Sequence, residues 1–245
     1  MPKKIKTTVY KKTKVAKNIV LLQIDAPFIA KSAKAGQFVS LSIPNQLQQL
    51  LNRPISIHNI EGNYLELLIK VVGPITTIIT ELNENDSITV LGPFGNDFFI
   101  PKNKNILLLG GGIGIAPLYL LEQELLKQGN VTNSLYCVSN RSDIAKINFS
   151  NISYHIDSEK NGFATDYLAD LLKTKNIDEI KACGPEPLLE QATKIAVSAN
   201  ISIEISLEDV MACGFGACLG CTINTKTGLK KICKDGPIFQ GDQIW

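Results

Sequence analysis

Four cysteines crowd the last part of the chain, Cys213, Cys218, Cys221 and Cys233, in the pattern C-x4-C-x2-C-x11-C. A binuclear iron–sulfur centre needs four thiolates, and C-x4-C-x2-C followed by a distant fourth cysteine is a [2Fe–2S] spacing. Three thiolates that reach the irons from one side require a tight loop folded over them. Gly214, Gly216 and Gly220 lie inside that loop. There a backbone without a Cβ can pass close to sulfur and turn its amide N–H groups toward it. A structural zinc ion is the other use of four thiolates. Zinc sites are usually built on paired C-x2-C knuckles, and only Cys218 and Cys221 are so spaced, which favours iron and sulfide. Cys137 and Cys183 lie apart, and Cys137 falls in mid-strand as a small core residue.

A second group could bind nucleotides. Gly110-Gly111-Gly112-Ile113-Gly114-Ile115-Ala116-Pro117 follows an apolar run and opens a helical pattern. In that context a glycine-rich turn lets the backbone approach a pyrophosphate and faces helix N–H groups toward it. The strict G-x-G-x-x-G spacing is absent, so a turn kept for packing alone stays open. Cys183-Gly184-Pro185 ends a later strand at the same carboxyl edge, where open α/β sheets bind ligands. Cys183 is there either a nicotinamide contact or a buried structural thiol. Earlier, Arg53-Pro54-Ile55-Ser56 offers a guanidinium that can grip a pyrophosphate and a hydroxyl that can reach a flavin ring edge. An ordinary strand could begin the same way, and its position ahead of the glycine turn is what gives this stretch weight.

Two kinds of layer must position these residues. Residues 1–100 carry short alternating or β-branched runs at 7–10, 18–24, 37–43, 64–72 and 87–91, separated by Gly and Pro turn signals. They predict an antiparallel barrel or sandwich, with one short helix over 76–82. Residues 101–207 switch to strand, turn, helix. Strands are expected at 106–109, 135–139, 153–156, 179–183 and 201–207, and helices at 117–127, 165–173 and 187–199. That alternation predicts a parallel, doubly wound sheet. Residues 208–245 are glycine-rich, lack helical periodicity and hold four of the six cysteines. The expected fold class is a multidomain α+β chain: a barrel, an α/β nucleotide-binding domain and a small cluster module.

Composition sets the outer limits. The chain has 245 residues, 44% hydrophobic and 20% charged, with a net charge of +2. This balance gives no strong field for nucleic acid or an acidic membrane. The lysines at 3, 4, 6, 11, 12, 14 and 17 read as a solvated strand face. Met1-Pro2-Lys3-Lys4 leads into polar sequence rather than the apolar core of a secretion signal, and the apolar run at 106–109 is too short to span a bilayer. The expected location is cytoplasmic, where clustered thiols point to metal or redox chemistry more than to disulfides.

Together these residues resemble the ferredoxin reductase superfamily, and within it the electron-transfer subunits of class B dihydroorotate dehydrogenases, along essentially the whole chain. Arg53 to Ser56 matches the family's flavin motif, Gly110 to Pro117 its nicotinamide-nucleotide turn, Cys183 to Pro185 its Cys-Gly-Pro motif, and Glu208 to Cys221 its cluster loop. The resemblance implies FAD held by Arg53, Pro54, Ile55 and Ser56, by Leu68, Ile69 and Lys70, and by a helix start at Ile75 and Thr76. It implies NAD(H) on Gly110, Gly111, Gly112, Gly114, Cys183, Gly184 and Pro185, and the cluster on Cys213, Cys218, Cys221 and Cys233. One position departs: the family usually has glycine where Ile75 stands, and a side chain there is expected to crowd the flavin phosphates.

The implied reaction is a relay, from NADH to FAD, to [2Fe–2S], to the FMN of a separate dihydroorotate dehydrogenase catalytic subunit, in a heterotetramer. It needs no acid or base in this chain. A (β/α)8 barrel takes about 250 residues by itself, so the orotate site belongs to that partner. Similar subunits serve NAD(P)H–ferredoxin oxidoreductases and sulfhydrogenase-type complexes, and the motifs do not choose among these partners. A zinc-containing, non-catalytic binding module is the reading from another class. Arg141 follows the second nucleotide-domain strand, where it either meets a 2′-phosphate or is solvated; the resemblance implies NADH. His58 and His155 read as ordinary surface or strand residues. Trp245 is expected near the cluster loop or a partner.

Overall fold

Period-two burial organises the first hundred residues. A computed structural model of the chain describes residues 2–44, 51–160 and 162–245; Met1, which begins the leaderless reading, lies outside them. The strands β1 (Lys3–Ala16), β2 (Ile19–Asp25), β3 (Phe38–Ser42), β4 (Arg53–Ser56), β5 (Asn59–Glu61), β6 (Tyr64–Lys70) and β7 (Ser87–Phe94) pair antiparallel in the order β4-β3-β7-β1-β2-β6-β5. Helices α1 (Pro27–Ala30) and α2 (Pro74–Glu81) interrupt them. β1 runs well past the expected 7–10. Its first half pairs with β7 and its second with β2, and most of its lysines stay on the solvated side. The N–H of His58 donates to the carbonyl of Glu66 (2.9 Å), laying the chain after β4 against β6 and closing the sheet as a barrel.

The second sheet is built from β8 (Asn105–Gly111), β9 (Val131–Val138), β10 (Ile152–Ile156), β11 (Glu179–Cys183) and β12 (Ser202–Ser206), parallel in the order β10-β9-β8-β11-β12. Helices α3 (Ala116–Lys127), α4 (Ala164–Thr174) and α5 (Glu186–Ser198) connect its strands. The order reverses at β8, so the carboxyl ends of β8 and β11 face a topological switch point. β8 is buried from Ile106 to Gly111, as a central parallel strand with both faces covered should be. Ile106 and Leu108 join the core shared with the barrel, while Leu107 and Leu109 join the core beneath α4 and α5.

The last segment adds an antiparallel strand to the edge of the parallel sheet. It forms a hairpin of β13 (Thr222–Thr225) and β14 (Gly228–Lys231), a single turn of helix α6 (Ile232–Asp235), and β15 (Ile238–Gln240). β15 adds antiparallel to β12, and the Leu207 N–H donates to the Pro237 carbonyl at 2.9 Å. A strand of this length shows too little alternation to be read as one from sequence.

A buried ionic group ties these parts together. Lys181 in β11 is 1% exposed. Its Nζ bonds Glu204 at 2.7 Å and Glu179 at 3.0 Å. Glu204 also accepts the Phe99 N–H (3.2 Å) and the Gln240 amide (3.3 Å). The same carboxylate therefore holds the chain leaving the barrel, the parallel sheet and β15.

Candidate functional site

Among the described residues, three adjoining cavities open between the barrel and the carboxyl edge of the second sheet, and Lys70 and Ile113 line all three. The first, about 280 Å³, is lined by Arg53, Pro54, Ile55 and Ser56 of β4, by Leu68, Ile69 and Lys70 of β6, and by Thr76 of α2. Its opposite wall includes Ala116 and residues 206–209. The predicted flavin residues therefore converge, with one exception. Ile75 points into the barrel core beside Ile79 and does not line the cavity. Its side chain is thus turned away from the space of the expected crowding, because the apolar face of α2 must turn inward to be buried. The Thr76 hydroxyl is also committed, accepting the N–H groups of Val72 (2.9 Å) and Gly73 (3.0 Å). With Pro74 in the first turn, the N–H groups of Ile75 and Thr76 have no intrahelical carbonyl to bond. Donors of that kind suit a phosphate.

The second cavity, about 670 Å³, runs from Gly111, Gly112 and Pro185 past Cys137 and Ser139 to Asp143, Asp157 and Phe163. The third, about 730 Å³, runs from Gly112, Gly114, Gly184 and Pro185 to Glu208, Asn224 and Trp245. The glycine turn is part open and part packed. Gly112 sits at φ +54°, and a Cβ there would meet nothing within 4 Å, so the backbone is open to a ligand. Gly114 is a packing position: a Cβ there would fall 2.4 Å from the Cys183 carbonyl oxygen. Gly111 and Gly184 pack directly on one another, and Gly110 packs on Ile115.

Cys183 is fully buried and lines none of these cavities. The structure thus places its thiol in the core rather than against a ligand, and burial raises its pKa, with Glu208 adding to the effect. Arg141 is not free: its guanidinium makes two bonds to Glu159, at 2.7 and 2.5 Å. Of the surface or strand positions expected for the two histidines, His155 lies in β10 and His58 between β4 and β5, and both are buried.

The four C-terminal cysteines lie as two pairs. The Cys213 sulfur accepts N–H groups from Ala217 (3.3 Å) and Cys218 (3.5 Å), and the Cys221 sulfur accepts the Cys233 N–H (3.4 Å). Burial opposes ionisation of Cys213, but the N–H groups of Cys218, Phe215 and Ala217 outweigh it and bring the thiol down to about 6. At Cys233 burial leads, the neighbouring Cys221 adds to it, and the thiol is held up at about 12. Gly214 and Gly216 adopt positive φ, as does Leu219 at +62°, a conformation rare for a branched residue. Among the described residues, no three His, Cys, Asp or Glu side chains converge on one mononuclear position. Two thiol pairs bathed in N–H donors fit a binuclear group, in which each iron takes one pair.

A barrel and a doubly wound sheet facing one cleft, followed by a four-cysteine loop, define a ferredoxin-reductase-like electron-transfer protein. Residues 6–99 match the model of the oxidoreductase FAD-binding domain, and residues 208–245 match the iron–sulfur cluster binding domain of dihydroorotate dehydrogenase B. The chain is 34% identical to the dihydroorotate dehydrogenase B (NAD(+)) electron transfer subunit of Clostridium perfringens, over 96% of this chain and 98% of that one. It is 32% identical to the corresponding subunit of a Geobacillus species, over 100% and 99%. The chain belongs to this family of electron transfer subunits. Among solved structures, a chain of an NADH-dependent reduced ferredoxin–NADP oxidoreductase superposes with a TM-score of 0.88 at 27% identity, covering 98% of this chain and 89% of that one. The ferredoxin reductase of carbazole 1,9a-dioxygenase shares the fold at a TM-score of 0.69 and 20% identity, covering 83% and 69%.

Proposed function

We propose that the chain passes electrons between NAD(H) and a catalytic partner subunit, and that this partner is the FMN-containing subunit of a dihydroorotate dehydrogenase in pyrimidine biosynthesis. The observation that carries the reading is the convergence of the predicted flavin and nucleotide walls on one cleft, with Lys70 and Ile113 shared by its cavities. When bound, FAD supplies a centre that accepts two electrons together and releases them singly, and a [2Fe–2S] cluster carries one at a time.

The chain's own residues bind and orient. Arg53 and Lys70 offer positive charge, the first turn of α2 offers N–H donors, and Gly112 opens the backbone to a pyrophosphate. Asp143 and Asp157 line the second cavity while Arg141 is held by Glu159, which favours NADH over a nucleotide carrying a 2′-phosphate. Proton transfer is left to the partner. Val210, Phe215 and Leu219 are more than half exposed around the cluster loop, an apolar surface suited to a partner chain. A heterotetramer of two such pairs, a cytoplasmic location that keeps the thiols reduced for cluster loading, and unit boundaries near residues 100 and 207 complete the proposal.

A second reading keeps the relay and changes the partner, to another NAD(P)H–ferredoxin oxidoreductase. The TM-score of 0.88 to such a chain favours it. The test begins with protein purified anaerobically and assayed for flavin, iron and sulfide. Its visible spectrum is then recorded before and after NADH. Flavin and cluster bands that both bleach are expected; a colourless zinc protein would sink the relay. Orotate-dependent NADH oxidation should then appear on adding a dihydroorotate dehydrogenase catalytic subunit. Turnover restored only by a different oxidoreductase subunit would establish the second reading.

A further inference from the structure

His58 stands where the barrel meets α3, and each of its polar backbone groups, with its ring Nδ1, is engaged. Its N–H closes the barrel on Glu66, as described above. Its carbonyl accepts the N–H of Leu120 at 2.9 Å. Its ring Nδ1 lies 2.7 Å from the carbonyl oxygen of Ala116. In an α-helix the N–H of residue 120 would bond the carbonyl of residue 116. Both of these groups, at the start of α3, are also bonded to His58, which braces the first turn of the helix. A carbonyl can only accept, so Nδ1 must carry the hydrogen. The ring is 3% exposed and stacks on Tyr119, with centroids 5.0 Å apart and planes 19° apart. Tyr119 in turn meets Phe149 edge-on at 5.5 Å. Burial lowers the ring's pKa, the bond to Ala116 opposing it, so the ring is neutral at neutral pH.

We propose that His58 is a positioning residue that fixes the nucleotide-binding turn against the flavin-binding strand. Ser56, two residues before it, lines the first cavity, and so does Ala116, the residue that its ring holds. Gly114, two residues before Ala116, lines the third cavity. A covalent and hydrogen-bonded path between the two walls therefore runs through this side chain. What the position requires is a short donor at Nδ1 and a flat body against Tyr119. The idea rests on the flavin and nucleotide reading of those walls.

The test compares His58→Leu, which fills the space without a donor, with His58→Asn, whose amide nitrogen stands close to where Nδ1 was. Rapid-mixing reduction of the bound flavin by saturating NADH should slow about tenfold or more in His58→Leu, because a small misplacement of reacting partners is costly. In the same variant the Ala116 carbonyl loses its ring donor and the first turn of α3 its brace. The amide exchange of nearby Leu120 should therefore rise about tenfold, the size of one net buried hydrogen bond. Flavin and iron contents should stay at the wild-type level, and His58→Asn should recover most of both effects. Equal losses in the two variants would mean bulk packing and overturn the proposal, as would wild-type reduction rates in His58→Leu. If His58→Leu does not fold, His58→Asn decides: near-wild-type rate and exchange uphold the donor, and a loss in either rejects it. Wild-type flavin that NADH cannot reduce would instead strike at the functional reading, and Leu120 exchange would still report whether the ring holds α3.

Discussion

The cluster loop and the nucleotide cleft are the two proposed redox sites, and they use the chain in opposite ways. Cys213 and Cys218 sit in irregular, largely exposed backbone whose own N–H groups solvate the Cys213 sulfur. Positive φ at Gly214 and Gly216 gives that backbone its turns. The cleft instead draws on β4, β6, the start of α2, the turn after β8, the end of β11 and the chain after β12. None of those pieces is a site until the two sheets pack. A local site is thus set by spacing, whereas the cleft is set by joints such as His58 and the Lys181–Glu204 pair. Cys221 and Cys233, buried in the core beside Ile232, and β15 bind the loop to that second kind of order.

The comparison can be broken from either side. Replacing Cys221 with Ser should have the largest effect, loss of bound iron and sulfide. The flavin should still bleach with NADH, and elemental analysis beside the visible spectrum checks both halves. Loss of flavin reduction as well would show that the two sites are not separately built. Lys181→Met comes next. It leaves Glu204 and Glu179 without their buried cation and should cost about 3–5 kcal/mol in urea denaturation. A neutral result would mean that the carboxylates find other partners.

Gly114→Ala sharpens the cleft side. Its Cβ meets backbone at 2.4 Å, so the turn must shift, at a cost of about 1–3 kcal/mol. The KM for NADH should rise while iron content is unchanged; an unaltered KM would separate the turn from the nucleotide. The smallest effect is expected of Glu159→Gln, which frees the exposed Arg141. The ratio of kcat/KM for NADPH to that for NADH should rise by a small factor. A constant ratio would remove Arg141 from nucleotide choice.

The strand-rich first third, the strand–helix rhythm of the middle and the cysteine loop were all legible, because each writes a short-range pattern of periodicity or spacing. What stayed hidden depended on neighbours distant in the chain. β15 is too short to show alternation, and its pairing with β12 exists only once Ile238 and Phe239 are buried. Ile75 looked like an obstacle to phosphate because the direction of its side chain is fixed by the packing of α2, not by its place in a motif. Cys183 sits in a motif that resembles a nicotinamide-binding one, yet its thiol is packed into the core with Glu208 beside the sulfur. A lone histidine carries no pattern at all, and His58 acquires its part only when α3 presents Ala116 and Leu120 to it. The sequence by itself determined the cluster loop, the two sheet types and the glycine turn, since those follow from ligand spacing and backbone preference. The tertiary structure alone decided which residues face the cleft and which hold its walls apart, because side-chain direction and buried hydrogen bonding are settled only when the layers close.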